Sequence, residues 1–124
     1  MANPNIVTSS TITGKLIYLS LADTNPTVLV SNASSSGKVF RINSIIVAND
    51  DGTNAASITV SVNNAAAGGG TAYKLAHTIS VAADSTLVVL DKASSIYLEE
   101  NHSIVCTASA GDDLDVICSY EEIS

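Results

Sequence analysis

The feature that most constrains this chain is a side-chain period of two. Ala56, Ile58, Val60 and Val62 alternate with Ser57, Thr59, Ser61 and Asn63. Successive side chains of a β-strand point to opposite faces, so this run makes one apolar and one polar face. A helix would need an apolar stripe at a spacing of 3.6, and no stripe of useful length occurs in the 124 residues. Strands must therefore build the core. The same reading predicts strands over Lys15–Leu21, Thr27–Ser31, Val39–Val47, Ala72–Ser80, Thr86–Leu90, Ser95–Leu98, Ser103–Ser109 and Leu114–Glu122, all rich in Val, Ile, Thr or Tyr. In Val39–Val47, strict alternation puts Phe40, Ile42 and Ile46 on one face and Val39, Ile45 and Val47 on the other. That pattern predicts a central strand covered on both sides for part of its length.

Turn clusters separate the strands. Asn32–Gly37, Asn49–Asn54 and Ala110–Asp113 each contain residues that tolerate positive φ. Ala65-Ala66-Ala67-Gly68-Gly69-Gly70 could start a helical turn, but three glycines stop it from propagating, so a mobile loop is expected there. Eight or nine short strands at regular spacing make the expected fold an all-β single β-sandwich, a jelly roll or related Greek key. At 124 residues there is room for one core. The polar stretch at the start, which carries Pro4, divides the chain into an extended N-terminal arm over residues 1–13 and a sandwich domain over 14–124. Such an arm either frays or orders on a neighbouring subunit.

Charged residues reach only 14%, with Ser, Thr, Asn and Ala in their place, so little surface charge discourages contact with partners. The net charge is −7, from five Lys and Arg against twelve Asp and Glu. Nucleic acid and anionic membranes both demand a basic footprint, so neither is an expected partner. Glu99, Glu100, Asp112, Asp113, Asp115, Glu121 and Glu122 hold seven of the twelve acids; this is a solvated rim or, alternatively, a docking face for a basic partner. The N-terminus lacks the basic and apolar regions of a signal peptide, and no apolar run approaches the roughly 18 residues of a membrane span. Synthesis and folding in a cytoplasm are the expectation.

The sequence points to no catalytic, cofactor-binding or metal-binding residues. Cys106 and Cys118 fall on the last two predicted strands, joined around Gly111. As a hairpin with a three- or five-residue connection, these strands would place Cys106 opposite Cys118, with Ile104 opposite Tyr120 and Ala108 opposite Val116. Two small buried hydrophobes are the expected role, with a disulfide formed after release as the alternative. His77 and His102 are far apart and lack a partner for nucleophilic catalysis, and no nucleophile elbow, P-loop, dinucleotide or zinc motif occurs. Asp50-Asp51 and Asp112-Asp113-Leu114-Asp115 do not follow calcium-loop spacing. Sugar sites favour exposed aromatics, whereas this chain has no Trp and one Phe. A carbohydrate- or host-surface-binding module would need Tyr18, Tyr73, Tyr97 or Tyr120 clustered around a groove. An enzyme would need converging carboxylates such as Glu99 and Asp115.

Residues Lys38–Asn49, with their Ile-x-Ser-Ile-x-Val-x-Asn strand, resemble small virion proteins of tailed bacteriophages, cyanophages especially. The alternation over 56–62, the stretches 80–87 and 96–104, and the closing Val-x-x-Ser-Tyr-Glu-Glu-Ile continue the likeness across residues 15–124. At Asn101-His102 such proteins often have Gly-Asp; Asn tolerates positive φ, so the turn should survive. The resemblance implies a virion structural protein: a capsid decoration (cement) protein, or a neck or tail component. It implies a homo-oligomer, trimers favoured, whose arm contacts the major capsid protein or other virion proteins. It implies no catalytic residue and no cofactor.

Overall fold

The computed structural model describes residues 3–124. Among the described residues nine strands form: β1 (Ile12–Ser20), β2 (Thr27–Asn32), β3 (Val39–Asn49), β4 (Ala56–Asn63), β5 (Ala72–Val81), β6 (Thr86–Leu90), β7 (Ile96–Leu98), β8 (His102–Ala108) and β9 (Leu114–Ile123). All pairings are antiparallel, and one set is nested: β1 with β9, β2 with β8, β3 with β6 and β7, β4 with β5; β3 with β9 and β4 with β8 then join these pairs into sheets. The chain is thus one long ribbon rolled so that successive pairs enter alternate sheets. Sheet one has the order β1-β9-β3-β6 with β7 also on β3, and sheet two the order β2-β8-β4-β5. This is a jelly roll, which decides between the two predicted topologies. β7 and β6 pair with successive stretches of β3, at Phe40–Ile42 and Ile45–Ala48. Between them lies a 3₁₀ turn, Lys92–Ser94, capped by the Asp91 carboxylate.

The inward faces of the two sheets make the core, with Ile42, Ile45, Val47, Ile58, Val60, Ile104 and Val116 fully buried. β3 departs from the predicted alternation. Its register with β9 shifts between Ile42 and Ser44, so Asn43 is an extra residue, a β-bulge. The bulge reverses the phase: Ile45 and Val47 join Phe40 and Ile42 inside, and Ile46 turns outward. Coverage on both sides is found at one end of the strand, where Val39 is 4% exposed on the outer face.

The predicted Cys106–Cys118 hairpin is not formed. β8 lies in sheet two and β9 in sheet one, so Ala110–Asp113 is an arch that crosses between sheets. The arch is seated on the β1–β2 connection, with Asp112 N–H donating to the Leu21 carbonyl and Leu21 N–H to the Leu114 carbonyl. A Cβ at Gly111 would lie 2.5 Å from the Ala22 carbonyl oxygen, so the close seat requires glycine. Both thiols are free and buried in the one core, reaching it from opposite sheets. Burial pushes each up to about 12, with Cys118 adding to the rise at Cys106.

Two asparagines from predicted turn clusters are core residues. Asn32 of sheet two donates through Nδ2 to the Leu98 carbonyl of sheet one, 3.1 Å, and to Lys38. Asn49 of sheet one donates to the Val81 carbonyl of sheet two, 3.0 Å, and to Asn54. Each ties the sheets together with its polar atoms satisfied, one at either end of the sandwich. The Ala65–Gly70 segment, expected as a mobile loop, is held against sheet two instead. Ser31, Asn101 and Ser103 side chains accept from the N–H groups of Ala67, Ala66 and Gly68. Asn63 donates to the Gly68 carbonyl. The side chains that pin this segment lie 35 or 36 positions away, or close by at Asn63, and are invisible in its own composition. Asn101 has φ 58°, the left-handed turn expected of it.

Candidate assembly surfaces

The residues considered for chemistry do not converge. His77 is exposed on β5, an edge strand, while His102 begins β8 with Nδ1 2.8 Å from the Glu100 carbonyl. Asp115 pairs with Ala48 and accepts from Ser20 Oγ at 2.7 Å, whereas Glu99 follows the Leu98–Phe40 pair at the other end of β3. Among the described residues, no three His, Cys, Asp or Glu side chains gather as metal ligands. Asp51 and Asp113 do lie close enough for their charges to interact. Backbone N–H groups of Thr53 and Asn54 lower Asp51, while desolvation and then the charges of Asp51, Asp50 and Asp112 raise Asp113. The two loops are tied by the Asp50 N–H bond to the Asp113 carbonyl. The four tyrosines are dispersed. Tyr18 and Tyr97 stand exposed on strands at opposite sides of sheet one, Tyr73 on sheet two, and Tyr120 is half-buried 5.3 Å from the Phe40 ring.

What the fold does build is extended surface. Across the outer face of sheet one, strand register aligns Tyr18, Ile117, Ile46 and Val88 in a row over β1, β9, β3 and β6. Tyr18 is 71% exposed and Val88 56%, and Leu16 beside Tyr18 on β1 is 62% exposed. The outer face of sheet two differs. There Ser57, Thr59, Thr107 and Ser109 border a shallow cleft of about 130 Å³, and the pinned 65–70 segment roofs Val105.

Asn3, Pro4, Ile6 and Thr11, ahead of β1, lie against their own domain. Asn3 Nδ2 donates to Glu99 at 3.0 Å and its Oδ1 accepts from the Glu100 N–H. Pro4 and Ile6 line a cleft of about 240 Å³ with Val39, Tyr97 and Glu99. Thr11 exchanges backbone hydrogen bonds with Ser124, and the ladder then runs on without a break into β1. Residues 12 and 13, which the sequence places in the arm, are therefore strand, and Met1 and Ala2 lie outside the described residues. Periodicity could not find any of these surfaces, because it gives the faces of a strand and not the order of strands.

No protein-family model and no curated protein matches this chain. Solved structures do. A subunit of the disulfide-linked pili that form Bacillus endospore appendages is 16% identical, with a TM-score of 0.55 covering 100% of this chain and 96% of that one. A chain of the acid-stable capsid of the Helicobacter pylori bacteriophage KHP30 is 10% identical, with a TM-score of 0.52 covering 94% and 90%. The fold is therefore shared, almost end to end, with subunits of a pilus and of a phage capsid.

Proposed function

We propose that this chain is a structural protein of a phage particle and, within that class, a capsid decoration (cement) protein that binds the shell and stabilises it. The observation that carries the proposal is an end-to-end jelly roll whose outer surface is given to an apolar row, an open strand edge and hydroxyl-rich faces. The capsid likeness and the phage resemblance of residues 15–124 point the same way. No role here requires catalysis. Weak contacts suffice when many copies engage a repeating lattice, because linked contacts multiply. The partners are the major capsid protein or another virion protein, and further copies of this chain. The location is the virion, after synthesis in the host cytoplasm. Residues 1–13 are the proposed contact to the shell; release from the Val39–Tyr97 cleft would free the apolar side chains of Pro4 and Ile6 for a partner.

The pilus likeness supports a second reading, a filament subunit. The pili named are disulfide-linked, whereas Cys106 and Cys118 are both buried and out of reach of a neighbouring chain. That difference favours the particle. Quantitative mass spectrometry of purified virions tests the proposal. Tens to hundreds of copies per particle are expected; a handful would move the chain to the neck or tail, and absence from virions would overturn the virion role.

A further inference from the structure

The geometry points to a two-fold dimer in which the β1 strands of two copies pair antiparallel along their open edges, joining the two first sheets into one continuous sheet. This inference goes beyond the particle reading and does not depend on it.

The four strand edges are not equal. β2 has a bulge at Leu29 and lies under the 65–70 segment. β5 is shifted in register twice against β4 and carries Thr78 at φ 46°. The fourth edge is split between β6, five residues long, and β7, three residues long, with the Asp91-capped turn between them. Bulges, short length and covering segments are among the devices that stop an edge from recruiting another strand. β1 has none of them. Its nine residues run against β9 in one unbroken register. Two identical copies that each offer one usable edge can meet only through that same edge, which makes the contact two-fold and isologous.

The hydrogen-bond phase then fixes the register. Thr11 exchanges both backbone bonds with Ser124, so odd-numbered residues of β1 bond to β9. The N–H and C=O groups of Ile12, Gly14, Leu16, Tyr18 and Ser20 therefore point to the open edge. Pairing with Leu16 on the two-fold axis uses all five of these residues on each copy. It sets Leu16 against Leu16 of the second copy and Tyr18 over Gly14, where nothing lies within 4 Å of a Cβ position. The apolar row Tyr18–Ile117–Ile46–Val88 of each copy then flanks that of the other across the joined sheets. Charge offers little opposition. The one charged side chain of β1, Lys15, is paired with Glu122 of its own copy at 3.3 Å, so little net charge opposes the approach of a second β1.

Sedimentation or light scattering on the full chain tests the dimer, with the expected mass twice the 12.7 kDa of one chain. Leu16→Pro removes an N–H that β9 does not use and places a ring on the open edge, a position proline tolerates. It should leave the circular dichroism spectrum unchanged and halve the mass. Leu16→Cys should be joined across the axis by a short bifunctional thiol cross-linker, since opposed Cβ atoms lie about 4.5–5.5 Å apart; Tyr18→Cys, opposite Gly14, should not. A monomer or a trimer in the unaltered chain, Leu16→Pro at full dimer mass, or equal cross-linking of the two cysteine variants would each overturn the inference. Trimers in particular would bear out what the phage resemblance implies and remove the two-fold edge.

Discussion

Replacing Asn49 by alanine removes the tie from sheet one to sheet two at the end of the sandwich where the acidic loops meet. The side chain is 3% exposed and donates to the Val81 and Asn54 carbonyls, while its Oδ1 accepts from the Asp51 N–H at 2.9 Å. Val81 is 2% exposed, so its carbonyl would be left buried without a donor, at a cost of about 1–3 kcal/mol. The lost turn bond to Asp51 adds about 0.5–1 kcal/mol, and the Asn54 carbonyl, on an exposed loop residue, can turn to water. The expected total is about 1.5–4 kcal/mol, a large share of the roughly 5–15 kcal/mol that holds a domain of this kind folded. For a chain of this length that lowers Tm by about 5–20 °C. Asn49→Asp sharpens the test, because it keeps the shape and the Oδ1 acceptor but sets a carboxylate against two carbonyls. Burial should raise its pKa, so the folded state holds the proton more tightly than the unfolded one. Below the ordinary carboxylate range near pH 4 the two variants should be close; as pH rises, Asn49→Asp should fall further behind, by about 1.4 kcal/mol per unit of raised pKa. Urea unfolding at several pH values measures both. A loss under about 0.5 kcal/mol for Asn49→Ala, or no pH-dependent gap between the variants, would refute the reasoning.

Gly70→Ala should destabilise by more than about 1 kcal/mol, because φ is +70° and the new Cβ would collide with Asn64 Oδ1; Gly14→Ala, with open space around it, should not, and thermal melts separate the two. Cys106 and Cys118 should resist thiol reagents in the native state: at about 12 their thiolate fraction is about a thousandfold below that of a thiol at 9.0, so labelling should await unfolding in urea. Glu122 is held below the usual carboxylate range, first by the Lys38 hydrogen bond and then by Lys15. Its stabilisation, about 1 kcal/mol or less, should be complete above pH 5 and fade as pH falls through its lowered value, a dependence that Glu122→Gln should flatten in melts across pH 3–6. Deleting residues 2–9 should leave the strand content by circular dichroism intact, cost a few degrees of Tm by uncovering Val39, and reduce incorporation into particles.

The strands were legible because alternation is local. Ala56–Asn63 declares its two faces without reference to anything else in the chain. Asn43 shows where that ends: one inserted residue reversed the phase of β3, and only the register with β9 reveals it. Alternation puts Cys106 and Cys118 inward, where they lie, but opposite each other in a hairpin that does not form. Alternation is the same whether two strands lie side by side or face each other across a core. Asn32 and Asn49 read as turn residues because their partners, Leu98 and Val81, are 66 and 32 positions away. The assembly surfaces were illegible for a related reason. That β1 is an edge, and that it keeps the regularity the other three edges lack, follows from strand order and from bulges in its rivals.

The most direct test of the central claim adds purified chain back to phage shells that lack it. A decoration protein should bind to saturation in fixed proportion to the major capsid protein and raise the temperature at which the shells disrupt. Shells that take up none of the chain, or bind it without any gain in thermal stability, would contradict the account.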